Sequence, residues 1–106
     1  METKQIKSQP VRPATKFKFD ASKVYTFHND PGHGWLEVDR AEIDALGIAQ
    51  TISRYSYQNG TKVYLEEDSD AGKFMEAYKK IWGVEVPYIE NYVENTPIRN
   101  YYNYQA

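Results

Sequence analysis

The chain has 106 residues, 41% of them hydrophobic, and a formal net charge of −2, which allows one domain of ordinary size with a small core. It contains no cysteine, which excludes disulfide bonds and thiolate chemistry, and it lacks the surplus of basic residues that general binding to nucleic acid requires. No apolar run reaches the length of a transmembrane helix and no apolar signal segment opens the chain, so we expect a cytoplasmic protein without a membrane partner.

Residues 1–21 are predicted to form a flexible basic arm outside the folded domain. They contain few apolar residues and no periodic pattern. The positive charges are Lys4, Lys7, Arg12, Lys16 and Lys18. A segment of this composition cannot bury enough surface to offset its ordering entropy. It is either a solubilising tail or an arm that binds an acidic partner or phosphates.

Residues 28–38, with the sequence HNDPGHGWLEV, predict a tight turn between two strands. The preceding KVYTFH is rich in β-branched and aromatic residues, and GWLEV follows the turn as a second strand. Pro31 suits the first central position of a type II turn, and Gly32 suits the second, which requires a positive φ. These two residues therefore need no chemical role.

The sequence VDRAEIDALGI predicts a short helix. Asp39 and Glu42 have the three-residue spacing of a capping box, and Gly47 follows as a C-terminal stop. Ile43 and Leu46 share one face, which lets the helix lie on a sheet.

The sequence TISRYSYQNGTKVYLEED predicts a β-hairpin. Asn59 and Gly60 are a preferred type I′ pair for a two-residue loop, and this register places Tyr55 opposite Tyr64. Because side chains alternate between the faces of a strand, one face would present Tyr55, Tyr57 and Tyr64 to solvent as a tyrosine platform. The other face would carry the core residues Ile52, Ser56, Val63 and Leu65, along with Arg54.

The clearest helical pattern in the chain is DSDAGKFMEAYKKIWG, residues 68–83. Apolar residues recur there at three- and four-residue spacing. Asp68 or Ser69 can cap the first turn, and Gly83 ends the helix. We therefore expect this helix to cover the sheet with its apolar face.

After this helix the pattern predicts one short strand near residues 84–86. Pro87 and Pro97 argue against long regular elements beyond it, so residues 87–106 are predicted to form an irregular, tyrosine-rich tail.

Together the elements predict a single α+β domain over residues 22–86, in the order β-β-α-β-β-α. A small antiparallel sheet would be covered on one face by two helices. The sequence leaves the oligomeric state open.

An exposed surface of tyrosine and arginine is the first candidate site. Both residue types are enriched in the hot spots of protein interfaces, and the tail sequence IRNYYNY has no pattern that would bury its rings. Tyrosine rings can also stack on nucleic-acid bases, but the acids that end the hairpin would repel phosphate. The candidate binding residues are Tyr55, Tyr57, Tyr64, Arg99, Tyr101 and Tyr102.

A pocket of histidines and acids is the alternative site. Its candidate residues are His28, His33, Glu67 and Asp68, joined by Arg99. Two histidines across a turn do not supply the three or four convergent ligands of a zinc site, so no metal is expected. The sequence has no phosphate-binding loop and no nucleophile motif, so no cofactor and no catalytic residue is assigned. We therefore expect a protein that is not an enzyme.

Three blocks of this sequence, in order, resemble a family of small uncharacterised proteins encoded by tailed phages and mobile elements. They are HNDPGHGWLEV, ISRYSYQNGTKVYLEEDSDAGKF and IRNY, and the resemblance covers about residues 26–104. It implies an accessory protein made in the cytoplasm of an infected bacterial cell. Together with the tyrosine–arginine tail, this setting leads us to expect a non-enzymatic protein that binds and inhibits a host macromolecule, such as a defence component. It carries over no catalytic residue. The alternative is a small-ligand or nucleotide-handling protein, enzymatic or not, that uses the His/Glu/Arg pocket.

Overall fold

The computed structural model describes residues 19–106 as an α+β fold, which confirms the predicted class. Residues 1–18, most of the predicted basic arm, lie outside the described residues. The strands are β1 (Tyr25–Asn29), β2 (Gly34–Asp39), β3 (Tyr57–Asn59), β4 (Lys62–Glu66), β5 (Tyr88–Tyr92) and β6 (Tyr102–Asn103). The helices are α1 (Arg40–Leu46) and α2 (Ala71–Trp82), and short 3-10 turns span Ala49–Thr51 and Pro97–Asn100.

The six strands form one mixed sheet in the order β5-β1-β2-β4-β3-β6. β5 runs parallel to β1, and the other neighbouring pairs are antiparallel. Residues 87–106, predicted as an irregular tail, instead supply both edge strands and so belong to the same domain as residues 22–86. Pro87 directly precedes β5 and Pro97 lies between β5 and β6, so neither proline interrupts a strand.

Both helices pack on one face of the sheet, as predicted, and the main core lies between these two layers. Its most deeply buried members include Tyr25, Leu36, Val38, Ile43, Val63, Leu65 and Phe74. The predicted hairpin core residues Ile52, Ser56, Val63 and Leu65 are buried, whereas Arg54 is exposed in the turn before β3.

The predicted capping of α1 is confirmed. The backbone N–H of Asp39 donates to Glu42 Oε1 at 2.8 Å, and the helix ends at Gly47, whose φ of 73° is left-handed. The Glu42 carboxylate is buried, and it also accepts from the Tyr25 hydroxyl at 2.7 Å and from Lys23 Nζ at 3.1 Å. The cap therefore ties α1 to β1 as well as closing its own first turn.

The hairpin loop lies one residue further along the chain than predicted. Asn59 pairs with Lys62, and Tyr57, not Tyr55, pairs with Tyr64, so the two-residue loop starts at Gly60. Gly60 has a φ of 62°, and the first position of a primed turn is where a positive φ is needed. The shift leaves Tyr57 and Tyr64 on one face, but it removes Tyr55 from the strand.

The carboxylate of Asp70 fixes the segment before β3 against the start of α2. Asp70 is fully buried at the N-cap of α2, where Asp68 or Ser69 had been predicted. It accepts from the backbone and hydroxyl of Ser53, from the Ser56 hydroxyl and from Lys73 Nζ. Burial opposes ionisation, but the hydrogen bonds from Ser53 and Ser56 hold the pKa of Asp70 below its ordinary value.

We expect Asp70→Ala to lower the free energy of unfolding by about 2–4 kcal/mol, because the buried hydroxyl of Ser56 and the backbone and hydroxyl of Ser53 lose their shared acceptor. Urea denaturation followed by circular dichroism measures the loss. The matched control is Asp68→Ala, an exposed acid two residues earlier, for which a change within about 0.5 kcal/mol is expected. Equal effects of the two substitutions would contradict a structural role for Asp70.

Candidate functional site

The face of the sheet opposite the helices carries aromatic residues, but the end of the chain covers it. We call residues 96–101 the C-terminal cover. Trp35, Tyr64 and Ile98 are at most 8% exposed and form a second small core, against which Tyr57 and Tyr101 pack. The predicted open tyrosine platform is therefore wrong for Tyr64, which lies beneath the cover with its ring 5.2 Å from that of Tyr101.

An ion pair between Arg99 and Asp30 holds the cover in place. Arg99 Nε lies 2.6 Å from Asp30 Oδ2, and Arg99 Nη2 lies 2.9 Å from Asp30 Oδ1. The guanidinium also sits over the Trp35 ring, 5.4 Å from its centroid. The Asp30 side chain is 3% exposed, whereas that of Arg99 is 45% exposed. The hydrogen bonds from Arg99 hold the pKa of Asp30 far below its usual range, although burial opposes this shift.

The same carboxylate organises the turn that was predicted from DPGH. Asp30 Oδ1 accepts from the backbone N–H of Gly32 at 2.9 Å and of His33 at 2.8 Å. Gly32 does not have a positive φ, so the predicted type II turn is not formed. A side chain there would press on the ion pair instead, because a Cβ atom at position 32 would lie 3.0 Å from Arg99 Nη2.

A shallow depression of about 330 Å³ opens beside the ion pair, at the β3–β6 side of the sheet. Trp35 and Tyr57 contribute aromatic surface to it, and Arg54 and Tyr55 stand exposed at it. The charged and polar lining residues are His33, Glu66, Asp68, Ser69, Arg99 and Asn103. The depression thus combines aromatic surface with charges of both signs.

The predicted His/Glu/Arg pocket is only partly brought together. His33 and Asp68 line the depression with Arg99, and His33 Nδ1 lies 3.2 Å from Arg99 Nη2. Glu67 is exposed, with its carboxylate beside Gly34. His28 does not line the depression.

His28 lies elsewhere on the covered face. Its Nε2 is 2.7 Å from Glu37 Oε1, its Nδ1 is 3.4 Å from the amide of Asn91, and its ring packs near Tyr64. These contacts join β1 to β2 and β5, so they give His28 a structural place in the sheet. The four predicted pocket residues therefore do not form one site.

The predicted binding residues differ widely in exposure. Tyr55 and Tyr102 are 72% and 80% exposed, whereas Tyr57 and Tyr101 are half-buried. By strand alternation Tyr102 points to the opposite face from Asn103, which lines the depression. Of the predicted tyrosines, Tyr55 is therefore the exposed one that belongs to the depression.

Sequence reasoning missed Asp30 and Trp35, on which the site depends. The buried indole N–H of Trp35 is the one buried side-chain nitrogen or oxygen within residues 19–106 that has no hydrogen-bond partner. The sequence signal for Asp30 is its position before Pro-Gly, where the side chain of an aspartate commonly accepts hydrogen bonds from the following backbone in an Asx turn. The sequence signal for Arg99 as its partner is that Arg99 is the single cation in a tyrosine-rich segment.

The described residues bear on two further functional classes, metal-binding and membrane-spanning proteins. Within residues 19–106, no group of three or more histidines and acids is arranged to hold a metal ion. No helix in this part of the chain is long and apolar enough to cross a bilayer.

A larger depression, of about 590 Å³, lies on the other side of the ion pair, but its lining contains no aromatic residue.

Comparisons with protein-family models, with curated proteins and with solved structures gave no match. The resemblance to a phage protein family therefore stays a prediction.

We expect Arg99→Ala to release the C-terminal cover and to let water reach Trp35. In a Trp82→Phe background, where Trp35 is the sole tryptophan, its fluorescence should shift to the red and the melting temperature should fall. Arg54→Ala in the same background is the control, because Arg54 lines the depression and its hydrogen bond with Asn103 uses the backbone carbonyl, which alanine keeps. Unchanged emission in Arg99→Ala would show that the ion pair does not hold the cover.

The contribution of Asp30 to the free energy of unfolding should become smaller as the pH falls. Its folded-state pKa is lowered, so its contribution is present above the unfolded pKa of about 4 and is lost as the pH falls below that value. Asp30→Asn should therefore be less stable than the wild type at about pH 7, and the difference should shrink towards about pH 3. Urea denaturation at both pH values measures this difference. A difference that does not change with pH would contradict the assignment.

Proposed function

We propose that this protein is a non-enzymatic accessory protein of a phage or mobile element that binds a host protein and blocks it. Its binding surface would be the depression beside the Arg99–Asp30 ion pair, with Arg54 and Tyr55 at its rim. The host setting and the inhibitory role rest on the sequence resemblance alone. The binding surface rests on the geometry of the described residues.

The observation that carries the proposal is the exposed Arg54–Tyr55 pair beside an aromatic depression. Tyr55 is 72% exposed although it lies next to a surface that buries Trp35. Tyrosine, tryptophan and arginine dominate the hot spots of protein interfaces, where they cluster around a pocket that the partner fills. Such a ring offers a partner surface a large contact area and a hydroxyl that can form a hydrogen bond.

The charges around the depression favour a protein partner over a nucleic acid. The cation Arg54 has the carboxylates Glu66 and Asp68 as neighbours on the same surface. A phosphate backbone would meet these acids, whereas a protein surface can present charges of both signs. The net charge of −2 acts in the same direction.

A small ligand is the second candidate, because His33, Asp68 and Arg99 do share one depression. The unpaired indole N–H of Trp35 beneath it adds a donor without a partner. Against this, Arg99 already binds Asp30 in a bidentate pair and contacts His33, so these groups are committed to holding the cover. The geometry therefore favours the protein-binding proposal.

Affinity capture from bacterial lysate, with the full chain as bait, tests the proposed surface. Wild type should retain a specific host protein, and the double variant R54A/Y55A should bind it roughly 30-fold more weakly, because a combined hot-spot loss of about 2 kcal/mol corresponds to that factor. Ile81→Ala is the control, since Ile81 is 48% exposed on α2, away from the depression. Equal capture by the double variant and wild type would refute this surface.

Thermal shifts separate the two candidates. The protein-binding proposal expects no rise in melting temperature with nucleotides or small carboxylates, because a ligand stabilises only if it binds the folded state. A rise that His33→Ala abolishes would favour the small-ligand candidate instead.

A further inference from the structure

The outer side of β5 is an open sheet edge. On its inner side, the carbonyl of Pro87 accepts from Tyr25 N at 2.9 Å, and Val93 N donates to Asn29 O at 2.8 Å. Backbone groups alternate in direction along a strand, so between these two bonds every second residue points away from β1. The residues whose N–H and C=O groups point outward are Tyr88, Glu90 and Tyr92. No strand among residues 19–106 pairs with this side.

This edge lacks most of the features that protect edge strands from pairing. Each of its five residues is exposed, and Ile89 and Tyr92 are each about 60% exposed. The strand contains no proline and no lysine, and Glu90 is its single charged residue. The other edge of the sheet, β6, is only two residues long. β5 is therefore the edge suited to strand addition.

We propose that β5 pairs with β5 of a second copy of this chain, antiparallel about a two-fold axis at Asn91. In this register Asn91 faces the partner's Asn91, Ile89 faces the partner's Val93, and Glu90 faces the partner's Tyr92. The apolar pair and the tyrosine–carboxylate pair are each formed twice, because a two-fold interface repeats its contacts.

The side chains of β5 favour a second copy of the chain as the pairing strand, in the register centred on Asn91. A two-fold axis at Glu90 would place two carboxylates directly opposite, which is destabilising. An axis at Ile89 would require Pro87 and Val86 to extend the strand, although Val86 is buried in the main core. The axis at Asn91 uses residues 89–93, which are already extended along β1. The backbone of the strand is thus already extended for self-pairing. The side chains of Glu90 and Tyr92 would exchange their contacts with Asn29 and Glu94, each 3.3 Å long, for the contact across the interface.

Such a dimer would leave the proposed binding surface free. The depression lies at the β3–β6 side, which is the opposite edge of the sheet from β5. The two sheets would join into one of twelve strands, with a depression towards each far edge. The dimer would therefore be bivalent for a partner that has two copies of its target.

Sedimentation analysis of the full chain over a wide range of concentration tests the dimer. Wild type should move from one to two chain masses as concentration rises. Tyr92→Glu should abolish this change, because it places an acid opposite the partner's Glu90, whereas Tyr92→Lys should retain or strengthen it. A wild type that stays monomeric at every concentration overturns the proposal, as does equal behaviour of the two variants.

Single cysteines test the register, because the natural chain contains none. Asn91→Cys places two thiols at a non-hydrogen-bonded pair, with Cα atoms about 4.5 Å apart, within the range of a disulfide. This variant should form a disulfide-linked dimer rapidly under mild oxidation, and Glu90→Cys should not. Equal rates would overturn the register. A monomer that instead binds a host strand at β5 would assign the edge to another protein and refute self-pairing.

Discussion

The bidentate ion pair between Asp30 and Arg99 is the interaction on which the functional surface depends. It joins residues 69 positions apart in the sequence. Asp30 also binds two backbone amides of its own turn, so one carboxylate fixes both the turn and the C-terminal cover. Because the acid is buried and the guanidinium is half-exposed, loss of Arg99 would leave a carboxylate without its charged partner, which is a larger penalty than one lost hydrogen bond.

The cover decides what the protein can present to a partner. Without it, one face of the sheet would expose Trp35 and Tyr64, and a surface of that kind attracts non-specific association. With it, these rings form a second core, and the exposed aromatic surface on this side of the sheet is reduced to Tyr55 and the sheet edges. The proposed binding surface is therefore assembled from the first turn, the hairpin and the end of the chain.

Buried acids play a similar organising part on the other face of the sheet. Glu42 joins the cap of α1 to Tyr25 and Lys23, and Asp70 joins the start of α2 to the segment before β3. Each carboxylate accepts hydrogen bonds from several donors, so it fixes one local arrangement of the chain. An apolar residue at the same position would be compatible with many arrangements. In a small domain with a thin core, these networks determine how the connections pack.

The sequence by itself determined the local elements. The capping box at Asp39, the stop at Gly47 and the period of α2 are set by contacts within about four residues, and the structure confirms them. It determined the faces of the hairpin but not its register, because a shift of the loop by one residue keeps the alternation. Only the tertiary structure decided the place of residues 87–106. β5 pairs with a strand more than sixty residues earlier, and Arg99 pairs with Asp30 across the fold, so no local pattern contains either partner.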